Sequence, residues 1–401
     1  MKKRPVLSIF ADGVRYDSIK YMPFVSSLNS VPLETVLGYS ITCHPSMYTG
    51  VYPDKHKIAF HWVKGKKEKG PYTFLSYFPD FFPFSNPYVQ AVASHFYAKF
   101  FLKKKASPFM GYGKLLNLPM KYWNHIDINE FKYWDEDNYI NNEIKTIFEL
   151  VRKNNYSHHI SNMHKPNLGR LHSIKTVQPK GYDWVYYFIG ESDHVSHEYT
   201  QHSDEGIAFL AKLDEFIKEE YSKFEKEYST DGFDFYFWSD HGHIAIEKRI
   251  DLYEFFRNNG VNLKNVFHLV DSTTARFWPK NETQKAKIME VMKKISEASL
   301  VEDYEYELLH LAKDSNLYGE LFYYLEGGAV FLYTIHGFGN DVKSMHGYHP
   351  DATGNDGLFV SNRHIKYNKA TLPDVFVSKI KSLGIDYEPT ISLDGRNIVS
   401  R

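Results

Sequence analysis

The chain carries short apolar runs that stop at acids. Val6-Leu-Ser-Ile-Phe-Ala11 is a β-rich run closed by Asp12-Gly13, the pattern of a buried strand ending in a turn. The same pattern returns at Trp184-Val-Tyr-Tyr-Phe-Ile189 before Gly190 to Asp193, and at Phe233-Asp-Phe-Tyr-Phe-Trp238 before Asp240. Three such strands would deliver acids to one rim, the carboxyl edge on which open α/β sheets bind ligands. Between them, Glu205 to Phe224 and Glu282 to Ser296 space their apolar residues as helices covering a sheet do. The expected fold is therefore α/β, a central mostly parallel sheet flanked by helices.

No fixed-period repeat interrupts this grammar, but residues 64–180 depart from it. That stretch is rich in Phe, Tyr, Pro and Lys, lacks strand-helix alternation, and is read as an aromatic-rich insertion or cap within one catalytic domain spanning 1–401. A second cap region is expected within 250–340.

Composition narrows the classes. A chain of 401 residues can bury a sizeable core. Its 31 Tyr and 30 Phe point to broad aromatic packing or a substrate surface rather than to disorder. A net charge of -1 gives no global reason to expect nucleic acid, so an anionic substrate would have to be captured locally. The single cysteine, Cys43, excludes an intrachain disulfide framework and a cysteine-based zinc cage. Any zinc must use His and carboxylates. Lys2, Lys3 and Arg4 precede an apolar run that Asp12 cuts too short for a signal peptide, and no run approaches the roughly 18 residues of a spanning helix. A soluble, cytoplasmic chain with no transmembrane segment is the expectation.

Four segments carry candidate chemistry: Phe10-Ala-Asp-Gly-Val-Arg15, Glu191-Ser-Asp-His-Val-Ser-His197, Ser239-Asp-His-Gly-His243 and Met345-His-Gly-Tyr-His349. Taken singly, each has a plainer reading. Asp12-Gly13 is most often a turn, and Asp193 and His197, four apart, can mark an exposed polar helix face. Together they look like a split two-metal site. His349 stands beside His346 as an alternative ligand.

The segment from Gly38 to Pro53, Gly-Tyr-Ser-Ile-Thr-Cys-His-Pro-Ser-Met-Tyr-Thr-Gly-Val-Tyr-Pro, resembles the nucleophile segment of the alkaline phosphatase superfamily, especially its nucleotide pyrophosphatase/phosphodiesterase branch. There a Thr, Ser or modified Cys opens a helix ten residues before a Gly, which selects Ser40 against Gly50 and leaves Thr42 as the nearest rival. A hydroxyl at a helix N-terminus gains from exposed amides and dipole, although Ser40 could also be a simple cap. The resemblance extends through most of the chain. It implies that Asp12, Ser40, Asp240 and His241 surround one divalent metal and Asp193, His197 and His346 a second, with zinc favoured and manganese or iron as alternatives.

The implied activity is that of a phosphodiesterase or pyrophosphatase on a phosphate-ester small molecule, a nucleotide or glycan-linked one included, through a phosphorylated or nucleotidylated serine. A phosphomonoesterase or phosphotransferase on the same site is the alternative, and a catalytically silent phosphate- or glycan-binding module the remoter one. Sulfatases of the superfamily use Cys/Ser-x-Pro-x-Arg, where this chain has Ser40, Thr42 and His44. One departure concerns the substrate: where nucleotide pyrophosphatases have His-Gly-Ile and then a phosphate-binding Asn, this chain has His56-Lys-Ile-Ala-Phe-His61. His61 is accordingly a candidate substrate-binding residue or a packed loop histidine.

Ser382-Leu-Gly-Ile-Asp386 and Leu393-Asp-Gly-Arg396 resemble the superfamily's terminal segment, with Asp394-Gly395 read as a turn. Within the insert, Pro71 to Phe84 could stack on a base or sugar, or cover a lipid-like group. Phe100-Phe-Leu-Lys-Lys-Lys105 could meet an anionic partner or a membrane surface, with a solvated basic turn the preferred reading of Lys103 to Lys105.

Overall fold

Strand β1 (Val6–Ala11) is buried throughout because both of its faces are covered, its one polar residue, Ser8, accepting the Trp184 indole N–H at 2.9 Å. Val6 and Phe10 enter the core on one side of the sheet, and Leu7, Ile9 and Ala11 the core on the other. The computed structural model describes residues 4–66, 69–79, 81, 83–102, 115, 117–161, 170–335, 337 and 339–400. Its central sheet adds β2 (Asn29–Glu34), β3 (His158–Ile160), β4 (Trp184–Ile189), β5 (Asp234–Trp238), β6 (Gly357–Ser361) and β7 (Ala370–Thr371). The order is β7-β2-β6-β5-β1-β4-β3. Only β6 runs against its neighbours β2 and β5.

Register fixes the rim. Ala11 pairs with Ile189, and Phe10 with both Phe188 and Trp238, so the residues after β1, β4 and β5 emerge together at the carboxyl edge. Helices α1 (Ser40–Thr49) and α5 (Leu372–Leu383) cover one face through Met47, Tyr48, Phe376 and Ile380. Helix α4 (Asp204–Glu227) covers the other through Leu210, Leu213, Ile217 and Phe224. It contains the expected Glu205 to Phe224 stretch. The helix expected to reach Ser296 ends at Met292, because the Ile295 amide bonds back to Met292 and tightens the chain into the strand Ala298–Leu300.

Two further bodies flank the rim. Within 250–340, Phe267–Val270, Thr274–Trp278, Leu321–Leu325 and Ala298–Leu300 form an antiparallel sheet with its own core. Within 64–180, Tyr72, Leu75, Met120 and Trp123 pack with Trp62 in an aromatic cluster beside helix α2 (Pro87–Tyr97). The whole of 64–180 is not insertion, however. The helix Ile147–Lys153 packs into the main core and β3 is the sheet's edge strand. A three-residue strand with two histidines, half-buried throughout, leaves no apolar run to read. Lys103 to Lys105 lie outside the described residues. Among the described residues no helix is long and apolar enough to cross a membrane.

Candidate metal centre and nucleophile

The candidate ligands are held at the rim by four secondary-structure elements. Asp12 follows β1, its amide bonded to the Ile189 carbonyl at 2.9 Å. Asp240 and His241 follow β5. Asp193 lies in the first turn of α3 (Glu191–Tyr199) and His197 one turn later, so four-residue spacing puts both on one face. His346 follows the two-residue strand Ser344–Met345.

Ser40 is the first residue of α1, and Tyr39 occupies the cap position without a side-chain capping bond. The serine hydroxyl points to the acids: Oγ lies 3.0 Å from His241 Nε2 and donates to Asp12 Oδ1 at 3.3 Å. Thr42 points elsewhere, its buried hydroxyl donating to the Ala59 carbonyl. His241 Nε2 is 3.4 Å from both Asp12 Oδ1 and Asp240 Oδ2. Gly13 donates its amide to Asp240 Oδ1 at 3.3 Å, while Asp240 Oδ2 has no hydrogen-bond partner among the described residues.

The second group converges on Asp193 Oδ1, with Nε2 of His243 at 2.9 Å, of His197 at 3.4 Å and of His346 at 3.5 Å. Asp12, Asp193 and His241 also lie within mutual ligand reach, and the His241 and His346 rings stack at 3.7 Å, so the two groups adjoin.

Hydrogen bonding fixes which imidazole nitrogens face inward. His197 Nδ1 lies 2.8 Å from the Ser344 carbonyl, which can only accept, so Nδ1 carries the proton. Ser344 Oγ donates its one proton to the Ser196 carbonyl at 2.5 Å and therefore accepts from His243 Nδ1 at 3.0 Å. His241 Nδ1 likewise donates to the Gly242 carbonyl at 3.0 Å. In all three rings Nε2 is thus the nitrogen turned toward the carboxylate oxygens. With Nδ1 committed to backbone or hydroxyl partners, each Nε2 is free to act as a ligand beside the carboxylates, so the residues fit a divalent metal.

Electrostatics agree. Burial, then the charges of Asp240 and Asp193, raise the Asp12 carboxyl well above its usual range, and burial pushes Asp240 up to about 7. Burial also works to raise Asp193, but His197, His243 and His346 override it and hold it well below. Burial drives His243 down to about 3 and His346 well below its ordinary value. Crowded acids and neutral imidazoles are the state a metal would use.

The expected site residues Asp12, Ser40, Asp193, His197, Asp240, His241 and His346 thus come together. His349 does not join them; its Nδ1 accepts the Asp351 amide at 3.2 Å and its ring lies against Tyr324. His61 is half-buried before the strand Trp62–Lys64, and adds to burial and His241 in holding His44 well below the usual histidine pKa. Lys57, standing for the family's Gly, keeps a left-handed backbone at φ 59°. Asp394 accepts the Tyr52 amide at 2.9 Å and pairs with Lys55, bracing the segment after α1.

Two residues escaped the sequence reading. His243, two residues beyond His241, turns back to Asp193. His44, one helical turn after Ser40, places Nε2 3.7 Å from Asp240 Oδ2 and 3.9 Å from Asp12 Oδ2, with neither ring nitrogen hydrogen-bonded among the described residues. Spacing of four from Ser40 was the available clue.

A family model described as type I phosphodiesterase / nucleotide pyrophosphatase matches residues 6–349. No curated protein sequence matches significantly. Among solved structures, murine ectonucleotide pyrophosphatase / phosphodiesterase 5, an inactive threonine-to-alanine variant in complex with AMP, matches with TM-score 0.65 at 12% identity over 100% of both chains. The human form matches with TM-score 0.63 at 12% identity, over 98% of this chain and 97% of that one. At these identities the likeness to solved structures is one of fold.

Proposed function

Because the chain belongs to the type I phosphodiesterase / nucleotide pyrophosphatase family, and is a metal-dependent phosphoric ester hydrolase, we propose that Ser40 is its nucleophile. The observation that carries this reading is the position of Ser40 Oγ, at the start of α1 and 3.0 Å from His241 Nε2, where the lone pairs of the first ligand group converge.

We assign two divalent ions, zinc first and manganese or iron as alternatives. Asp12, Ser40, Asp240 and His241 would hold one, and Asp193, His197 and His346 the other, with His243 as an added donor. Bound there, the metal supplies Lewis acidity, favouring the serine alkoxide and offsetting phosphate charge. Ser40 Oγ, its proton released to solvent, attacks phosphorus as the P–O bond to the leaving group breaks, and the leaving oxygen takes up a proton from solvent. Water then attacks the phosphorylated or nucleotidylated serine, breaking its Oγ–P bond and returning the hydroxyl. The α1 N-terminus favours negative charge at both stages. His61 is the proposed donor to a phosphate oxygen. The capture of AMP by the murine relative supports a nucleotide-bearing substrate.

The test compares bis-p-nitrophenyl phosphate with p-nitrophenyl phosphate, using metal-loaded wild type and Ser40→Ala. Ser40-dependent preference for the diester is expected. Preference for the monoester would move the assignment to a phosphatase.

A further inference from the structure

Helix α2 (Pro87–Tyr97) is turned inside out. Its buried positions are Gln90 and Ser94, continued by Ala98, while Tyr88, Val92 and Phe96 face solvent at four-residue spacing and Phe100 extends the row. The inward side meets the body of the protein through Gln90, whose Nε2 donates to the Phe84 carbonyl at 3.0 Å, and through Tyr97 and Ala98 at the aromatic cluster. The outward side is a continuous apolar strip in which the Phe96 and Phe100 rings lie 4.4 Å apart. Phe96 is 54% exposed and Phe100 49%. A helix bathed in water has the opposite pattern, and an apolar strip of this kind marks a surface that meets something else.

Charge identifies what it meets. From Phe81 to Ile126 the sequence contains no Asp or Glu and six Lys, although the whole chain is nearly neutral. Lys99, exposed between Phe96 and Phe100, places its ammonium 5.6 Å from the Phe100 ring centroid. Aromatic rings beside cations, with acids excluded, suit the boundary between anionic headgroups and acyl chains. A second copy of the same face would oppose lysine to lysine.

We propose that this face docks on an anionic lipid bilayer, with Phe96 and Phe100 seated at the headgroup level and Lys99 among the phosphates. The proposal stands apart from the reaction at Ser40. It is tested by flotation with phosphatidylcholine vesicles, with and without phosphatidylserine, for wild type, Phe96→Ser/Phe100→Ser and Lys99→Glu. Wild type floats with the anionic vesicles only and is released by salt. Both variants bind about tenfold less or weaker still, with unchanged thermal melts because the replaced side chains are exposed. Failure of wild type to bind anionic vesicles, or equal binding by the Phe variant, overturns the proposal. Dimerisation abolished by the Phe variant, without vesicle binding, gives the face to a second copy and overturns it too.

Discussion

Tyr39 and Thr273 close a hydrogen-bonded link between the nucleophile and a ligand loop. The Tyr39 hydroxyl accepts the Thr273 amide at 2.8 Å, and lies 2.8 Å from Thr273 Oγ1, which donates to the Gly347 carbonyl at 2.8 Å. The Tyr39 ring meets the His346 ring edge-on at 5.6 Å. Any side chain at Gly347 would meet that ring, since a Cβ there would sit 2.7 Å from it. One threonine thus ties the residue before Ser40 to the residue after His346. Thr273→Val should cost about 1–3 kcal/mol of stability through the unmade buried bonds and lower kcat more than it raises KM. Thr273→Ser should recover both. Thermal melts and steady-state kinetics on a soluble diester check this.

Ser344 orients two imidazoles at once, His197 through its carbonyl and His243 through its hydroxyl. Of these two, Ser344→Ala removes only the second, together with the hydroxyl's bond to the Ser196 carbonyl. Metal affinity should fall about 10–100-fold, as for lost outer partners of ligating histidines. Competition with a chromophoric chelator measures it. His243→Ala should fall further than Ser344→Ala; equal affinity in His243→Ala and wild type would remove His243 from the ligand set.

His61 stands where the family's phosphate-binding Asn is expected. His61→Ala should lower diester turnover by about 10–100-fold, below the loss for a fully enclosed oxyanion donor because His61 is only half-buried. His61→Asn should restore most of it. Unchanged kinetics in His61→Ala would leave the residue a loop-packing histidine.

Lys379 is buried against the Trp238 ring at 4.0 Å and the Tyr48 ring at 5.6 Å, and its ammonium has no hydrogen-bond partner among the described residues. Burial lowers its pKa well below the ordinary lysine value. The unfolded chain therefore binds the proton more tightly, so stability rises with pH from the lowered folded value up to the ordinary lysine range. Lys379→Met should lose that rise and be more stable at neutral pH by on the order of 1–4 kcal/mol. Denaturant melts across alkaline pH give the sign.

The apolar runs at Val6, Trp184 and Asp234 were legible because strands covered on both faces need continuous apolar residues. The acids that follow them share a rim for the same reason, register carrying each chain to one edge. Asp193 and His197 were legible through helical spacing. His44 was not, since its role depends on the face of α1 that Ser40 turns toward Asp12, and Pro45 within that helix obscures its periodicity. His243 was hidden because the chain folds back after His241, and β3 because edge strands need no apolar pattern. The outward aromatic face of α2 could be found only in three dimensions: its sequence would serve equally for a buried helix.

The central claim is a covalent serine intermediate, and the stereochemistry at phosphorus tests it most directly. A chiral phosphorothioate diester is turned over by the metal-loaded enzyme in oxygen-18 water, so that the entering labelled oxygen makes the phosphorus of the thiophosphate product chiral, and its configuration is read by phosphorus NMR after stereospecific esterification. Two in-line displacements through Ser40 predict net retention. Net inversion would mean that water attacks the substrate directly, and would contradict the role given to Ser40.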